Sequence, residues 1–287
     1  MENTFISKIG KKDLHEFISL CQSLNFDFDE LLFESIVVNT LKYLKGDKEK
    51  RSELRYMQNL ENKWYESLLG GEPDYSIYDD VYYLADTWVC WKLYSREYIK
   101  AIISDKGMAT RSSNGWYNLK SIKDHIGSIN KIADLGCGIG YTAATLKQEF
   151  NCAVFGTNIK DTKQYQVCSN IANISGFNLV ESLDEIGSCD LVFASEYFEH
   201  FERPIEHLID VLQKLNPKHF LFANTFNSKS IGHFDIYKNK GAENLFSSNY
   251  TGKEMSRLFS KTLKEHGYKK VHTNCFNDRP NYYRYGE

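Results

Sequence analysis

Proline is scarce in this sequence, four residues in 287, so long proline-rich linkers are absent. No apolar run approaches the roughly 20 residues that a membrane-crossing helix needs. The opening stretch, MENTFISKIGKKDLHEF, lacks the basic segment followed by an apolar one that marks a secretory leader. No CxxC pair occurs among Cys21, Cys90, Cys137, Cys152, Cys168, Cys189 and Cys275. An odd, widely spaced set argues against a disulfide framework or a zinc site, and free thiols in a reducing cytoplasm are the expectation. Charge of one sign is also missing: 35 Lys and Arg oppose 38 Asp and Glu, a net charge of -3. That balance excludes a chain built to neutralise nucleic-acid phosphates wholesale. There are no internal repeats and no low-complexity tracts. What is abundant is core-forming material. Hydrophobic residues make up 42% and aromatic ones 14%, enough for one large domain or two smaller ones.

The first 110 or so residues predict helices. DLHEFISLCQSLNF and DELLFESIVVNTLKYLKG space apolar residues by three and four. Asp13, Asp27 and Asp29 suit helix starts, and Gly46 suits a stop. GDKEKRSELR reads as a solvated turn leading into a helix. YDDVYYLADTWVCWKLYSREYIKAII is a third helical stretch, in which Trp88, Trp91, Tyr94 and Tyr98 recur at helical spacing. Such a stripe belongs to a core or to a lid over a ligand cleft. The small, polar GMATRSSNGW marks the boundary. The expected domains are therefore a helical region, residues 1–110, and a second domain, residues 115–287.

Beyond Ser121 the rhythm alternates. KIADLG, CAVFGTN, CDLVFAS and HFLFANT read as strands, with helices at YTAATLKQEF, DTKQYQVCSNIANISG, PIEHLIDVLQKLN and TGKEMSRLFSKTLKEHGY between or after them. KKVHTNCF and NYYRYG close the pattern as an expected antiparallel edge hairpin. Near-continuous apolar strands alternating with helices predict an α/β fold, a doubly wound, mostly parallel sheet covered on both faces.

ADLGCGIGYTA packs three glycines into five residues after the first of these strands. In doubly wound sheets, ligands bind at such strand ends, and glycine gives both the tight turn and an open approach to the backbone. A phosphate-binding P-loop needs Gly-Lys-Ser/Thr, and the chain has Gly-Tyr-Thr. A dinucleotide fingerprint spaces its third glycine differently.

The stretch DLGCGIG resembles motif I of class I S-adenosylmethionine-dependent methyltransferases. The resemblance continues through CDLVFASEYFEHFERPIEHL, where Ser195, Glu196, Glu199, His200 and Pro204 fill the family's places. It covers Ile122 to about Gly286 and implies a seven-stranded, Rossmann-like sheet and S-adenosylmethionine as cofactor. It further implies that Gly136, Cys137 and Gly138 face the methionine part and that Asp134 anchors its amino group. Asn158 stands where the family usually has an acid for the ribose, with Asp161 close by. A charged acceptor there binds more strongly than a neutral amide, so Asn158→Asp is expected to preserve or tighten binding. Leu183 is the expected adenine contact, and Tyr141, Ser195 and Glu196 complete the expected cofactor set.

Base-methylation signatures are absent. SEYF lacks the two prolines of the DNA amino-methylating motif, and no cysteine follows a proline. Methylation of a hydroxyl benefits from a base titrating near neutrality, about 6.5 if unperturbed, and His200 and His233 are the candidates. The seven-residue spacing of His200 and His207 does not suit a metal pair, and no metal is expected. Asp235 and Tyr237 share the long loop with His233, and Arg279 and Arg284 suit an anionic substrate. The sequence thus points to a methyltransferase acting on a small polar metabolite or activated sugar, cytoplasmic and without membrane contact. The N-terminal helices are placed to roof the acceptor pocket or to mediate oligomerisation. A nucleic-acid modifier using KTLKEHGYKK as its footprint, and a non-catalytic binding module, are the alternatives.

Overall fold

The computed structural model describes residues 11–44, 55–105, 107–111, 117–240, 247–274 and 281–286. Gly46, most of the charge run at 46–55, part of the expected boundary at 107–116, Cys275 and Arg279 lie outside the described residues.

Helices come first: α1 (Lys11–Ser23), α2 (Glu30–Leu44) and α3 (Arg55–Gly70). Asp29 caps α2 by accepting from the Leu32 N–H at 3.1 Å. A 3-10 turn, Tyr75–Asp79, leads to α4 (Tyr83–Cys90), a π-helical turn (Trp91–Ser95) and α5 (Arg96–Ile103). A short hairpin of β1 (Met108–Arg111) and β2 (Tyr117–Lys120) follows, then α6 (Ile122–Ile126). The alternating part runs β3 (Lys131–Leu135), α7 (Tyr141–Phe150), β4 (Ala153–Thr157), α8 (Lys163–Ser175), β5 (Asn178–Val180), β6 (Leu191–Ser195), α9 (Pro204–Leu215) and β7 (His219–Ala223). It ends with a hairpin of β8 (Tyr237–Lys240) and β9 (Ser247–Tyr250), then α10 (Gly252–Glu265), β10 (Tyr268–Val271) and β11 (Asn281–Tyr285).

Seven strands form one sheet in the order β10-β11-β7-β6-β3-β4-β5. β3 to β7 pair in parallel, and all five residues of β7 are buried, as helices on both faces require. Local chemistry sets the helix ends. Pro204 opens α9, Thr162 caps α8 by accepting from the Tyr165 N–H, and Thr251 with Glu254 forms a capping box on α10.

The expected antiparallel edge hairpin is present, formed by the last two strands. β11 is antiparallel to β10, but it also pairs antiparallel with β7, so it lies inside the sheet and β10 forms the edge. The cause is apolar surface: Tyr282 and Tyr283 on β11 are buried, which favours the interior place. The sequence reading also left α3 unassigned beyond its charged start, although Met57, Leu60 and Trp64 bury one face of it.

The order reverses beside β3, with β4 and β5 to one side and β6 and β7 to the other. The carboxyl ends of β3 and β6 therefore lie side by side, Leu135 level with Ala194. This is the switch point at which open α/β sheets take ligands.

Candidate functional site

Gly136, Gly138 and Gly140 have φ of 63°, 56° and 93°, a left-handed region costly for residues with side chains. Space is also denied. A Cβ on Gly136 would run into the Tyr197 ring, and one on Gly138 would sit 3.2 Å from the Thr87 methyl. The loop is thus stripped of side chains partly by its own neighbours. β4 holds it from below: the Gly136 N–H donates to Thr157 Oγ1 and the Cys137 N–H to the Thr157 carbonyl, each at 3.0 Å.

Both polar atoms of the Asn158 side chain take part in hydrogen bonds. Its Nδ2 donates to the Gly138 carbonyl at 2.6 Å, and its Oδ1 accepts from the Ile159 N–H at 2.8 Å. The amide is a strap on the glycine loop, a task that needs a donor. Asp134 is 2% exposed and its Oδ2 has no hydrogen-bond partner. Burial pushes its carboxyl well above the usual range.

The other end of the site grows from β6. Glu196 follows it at φ 50°, and a 3-10 turn carries Glu199 and His200. Thr225 orients both acids. Its N–H donates to Glu199 Oε1 at 2.7 Å, and its hydroxyl lies 2.6 Å from Glu196 Oε2 and 3.1 Å from Glu199 Oε1. Glu199 is fully buried with Oε2 unpartnered. Burial first, then the charge of Glu196, raises its carboxyl far above the usual range.

His233 sits against His200, ring centroids 4.8 Å apart and nearly perpendicular. Its Nδ1–H donates to the Ser228 carbonyl at 2.8 Å, which leaves the lone pair on Nε2. His200 Nδ1 meets the Tyr78 hydroxyl at 3.0 Å. Burial, then the neighbouring His233, lowers His200 to about 3, and burial lowers His233 as well. Both rings are neutral at pH 7. His200 is thus held well below the unperturbed 6.5, by burial first and by the neighbouring His233 second.

N-terminal elements form the facing wall. Trp64 of α3 donates its indole N–H to the His233 carbonyl at 2.6 Å, and Tyr65 donates its hydroxyl to the Ser230 carbonyl at 3.3 Å. Gln164 Nε2 donates to Thr87 Oγ1 of α4 at 3.0 Å, and the Lys163 N–H donates to Asp79 at 3.0 Å. Between wall and sheet lies one cavity of about 970 Å³.

Of the expected site residues, Asp134, Gly136, Cys137, Gly138, Asn158, Ser195, Glu196, His200 and His233 all line this cavity. Tyr141 and Leu183 are not among its lining residues. Tyr141 turns to the Trp91 ring, 4.4 Å between centroids, and Leu183 is buried in its own 3-10 turn. Tyr237 is fully buried, and Asp235 pairs with Lys229. Arg284 lies on β11, away from the cavity. His207 packs in α9, stacked on Phe201 with Nε2 against the Tyr197 hydroxyl at 2.8 Å. The aromatic stripe divides: Trp88 is core, while Trp91, Tyr94 and Tyr98 also line the cavity. Sequence reasoning missed Tyr78, Thr87 and Thr225. Only their placement by folding marks them.

Residues 114–272 match the family described as methyltransferase domain. A ubiquinone biosynthesis O-methyltransferase of Rickettsia bellii is 29% identical over 117 residues, 39% of this chain and 49% of that protein. The chain thus spans about half the length of the curated relatives it matches. Among solved structures, an O-methyltransferase family protein from Burkholderia thailandensis aligns with TM-score 0.46 at 9% identity, covering 72% of this chain and 61% of that one. The N-terminal domain of EvdMO1, solved with S-adenosylhomocysteine and D-fucose, aligns with TM-score 0.39 at 12% identity, covering 62% and 88%.

Proposed function

This chain belongs to the methyltransferase-domain family and takes S-adenosylmethionine as its cofactor; from that premise we propose that it methylates a hydroxyl of a small polar acceptor, a metabolite or a nucleotide-activated sugar. One observation carries the reading. A single cavity joins the Asp134–Gly138 loop to two neutral imidazoles. At about 970 Å³ it stands at the upper end for small-molecule sites, with room for cofactor and acceptor together.

The residues at the loop end fit the cofactor. Asp134 offers a buried carboxyl oxygen without a partner, suited to an ammonium group. Gly136, Cys137 and Gly138 line the cavity, and the two glycines add no side chain of their own to it. Asn158 keeps one Oδ1 lone pair for a ribose hydroxyl while strapping the loop. Ser195 and Glu196 line the cavity at the end of β6. S-adenosylmethionine supplies an activated methyl group on a sulfonium centre.

This chain's part is to position the acceptor and to hold its proton. His233 Nε2 is the fitting proton acceptor, since its tautomer is fixed by Ser228. The O-methyltransferase activity named for the Rickettsia relative supports the choice of oxygen. In this reading residues 1–110 are the acceptor-covering region and 115–287 the cofactor domain, in a cytoplasmic enzyme. Among the described residues no helix is long and apolar enough to cross a membrane. Calorimetry with S-adenosylmethionine, followed by transfer of labelled methyl to phenols, nucleotide sugars and matched amines, tests the reading. Label on hydroxyls is expected, and label on amines alone overturns it.

A further inference from the structure

The acceptor end holds a cluster that proton transfer alone leaves unexplained. Glu196, Glu199 and His233 each place one donor atom within 4.8 Å of the others. Ligands held about 2.0–2.6 Å from a common ion lie at most about 5 Å apart, so the three atoms span one coordination sphere. Glu199 is fully buried, its Oε2 has no hydrogen-bond partner, and among the described residues no lysine or arginine pairs with it. Thr225 brings one hydroxyl hydrogen to two carboxylates. That hydrogen serves one of them at a time.

His233 is prepared in the manner of a ligand. Its Nδ1–H is spent on a backbone carbonyl, which fixes the ring and leaves the Nε2 lone pair. A proton shared between the two carboxyls would satisfy those groups and leave the imidazole lone pair unused. A dication satisfies all three and balances two formal negative charges. Glu196 and His233 also line the cavity, so the position is open to a substrate.

We propose that Glu196, Glu199 and His233 bind a divalent cation of the manganese and magnesium class at the acceptor end of the cavity. Two carboxylates select a hard dication, and the single imidazole favours manganese within that class. Three protein ligands leave coordination positions for acceptor oxygens. This extension rests on the hydroxyl-methylation reading. A coordinated hydroxyl ionises more readily because the cation stabilises the alkoxide. Its O–H bond breaks with the electron pair staying on oxygen, and the proton passes to solvent water. No electrons are exchanged. His233 is then a ligand, and the cation takes over its part in activating the hydroxyl.

The test is a titration of the full chain with manganese(II), free metal being read by electron paramagnetic resonance without cofactor or acceptor. One saturable ion per chain is expected, weakened at least about tenfold by Glu199→Gln and by Glu196→Gln. Circular dichroism and thermal melting of both variants establish that they fold. Glu196, at the cavity wall, is the safer substitution should the buried Glu199→Gln fail to fold. Absence of saturable binding up to millimolar manganese, the result of a shared proton alone, overturns the proposal, as does binding that survives both substitutions. Cofactor binding without manganese binding removes the cation and leaves the methylation reading standing. Manganese binding with label passing only to amines does the reverse.

Discussion

Trp64 and His233, 169 positions apart, are joined by an indole N–H donating to a backbone carbonyl at 2.6 Å. The bond ties a cavity-lining residue of the alternating half to a helix of the N-terminal part. Trp64→Phe keeps most of the ring and removes the donor. It is expected to lower kcat/KM for the acceptor about tenfold, the scale of one buried hydrogen bond. Cofactor affinity measured by calorimetry should change less than twofold.

Gly138→Val meets two obstacles, a φ of 56° and the Thr87 methyl 3.2 Å from the new Cβ. S-adenosylmethionine binding should fall below detection in calorimetry while the protein still folds. Binding at wild-type affinity would remove the glycine loop from the cofactor site.

The strap formed by Asn158 reverses the expectation drawn from charge alone. Asp at this position would set a carboxylate against the Gly138 carbonyl that now accepts from Nδ2 at 2.6 Å. Two acceptors cannot share that contact without a proton. Asn158→Asp is therefore expected to weaken cofactor binding by about tenfold or more, the cost of a lost buried hydrogen bond. Tighter binding would show that the ribose contact outweighs the strap.

The pH–rate profile should carry no imidazole step at 6.5 from His200, which burial lowers to about 3. The rate is expected to be level from pH 6.5 to 8 and to fall only at lower pH. A rise of tenfold across 6 to 7 in kcat/KM would place an exposed histidine in the reaction instead.

Stability should respond at His219, which is buried, bonded at Nδ1 to the Tyr282 hydroxyl at 2.8 Å, and lowered by burial to about 4. The unfolded chain protonates this residue near 6.5. Between those values the unfolded state binds more protons, so this contribution is fully present above pH 6.5 and is lost as pH falls toward 4. His219→Gln should show a smaller drop in Tm between pH 7 and 5 than the wild type, whatever its starting Tm.

The alternating half was legible because its rules are local. Apolar strands such as LVFAS and HFLFA, and caps such as Pro204 and Thr251, announce themselves over a few residues. The glycine loop and its ligand end were legible for the same reason. The facing wall was not. Tyr78 meets His200 across 122 positions and Thr87 meets Gly138 across 51 (138 − 87), and no local pattern encodes such meetings. The strap made by Asn158 was not legible because its partner is a backbone carbonyl 20 positions away. The burial of Leu183 in its own 3-10 turn was not legible, because an apolar residue after a strand serves a core as readily as an adenine.

The interior place of β11 has a consequence in time. β7 ends at Ala223, and the strand that covers its outer edge ends at Tyr285. A ribosome adding 5–20 residues per second needs about 3–12 s to make that stretch. Throughout, the edge of β7, with Phe220 and Phe222, waits without its partner while β10, made first, must leave a gap for a strand not yet present. Uncovered edges recruit foreign strands. The nascent chain is therefore most vulnerable to association while this stretch is being made, and slowing translation there prolongs the exposure in proportion.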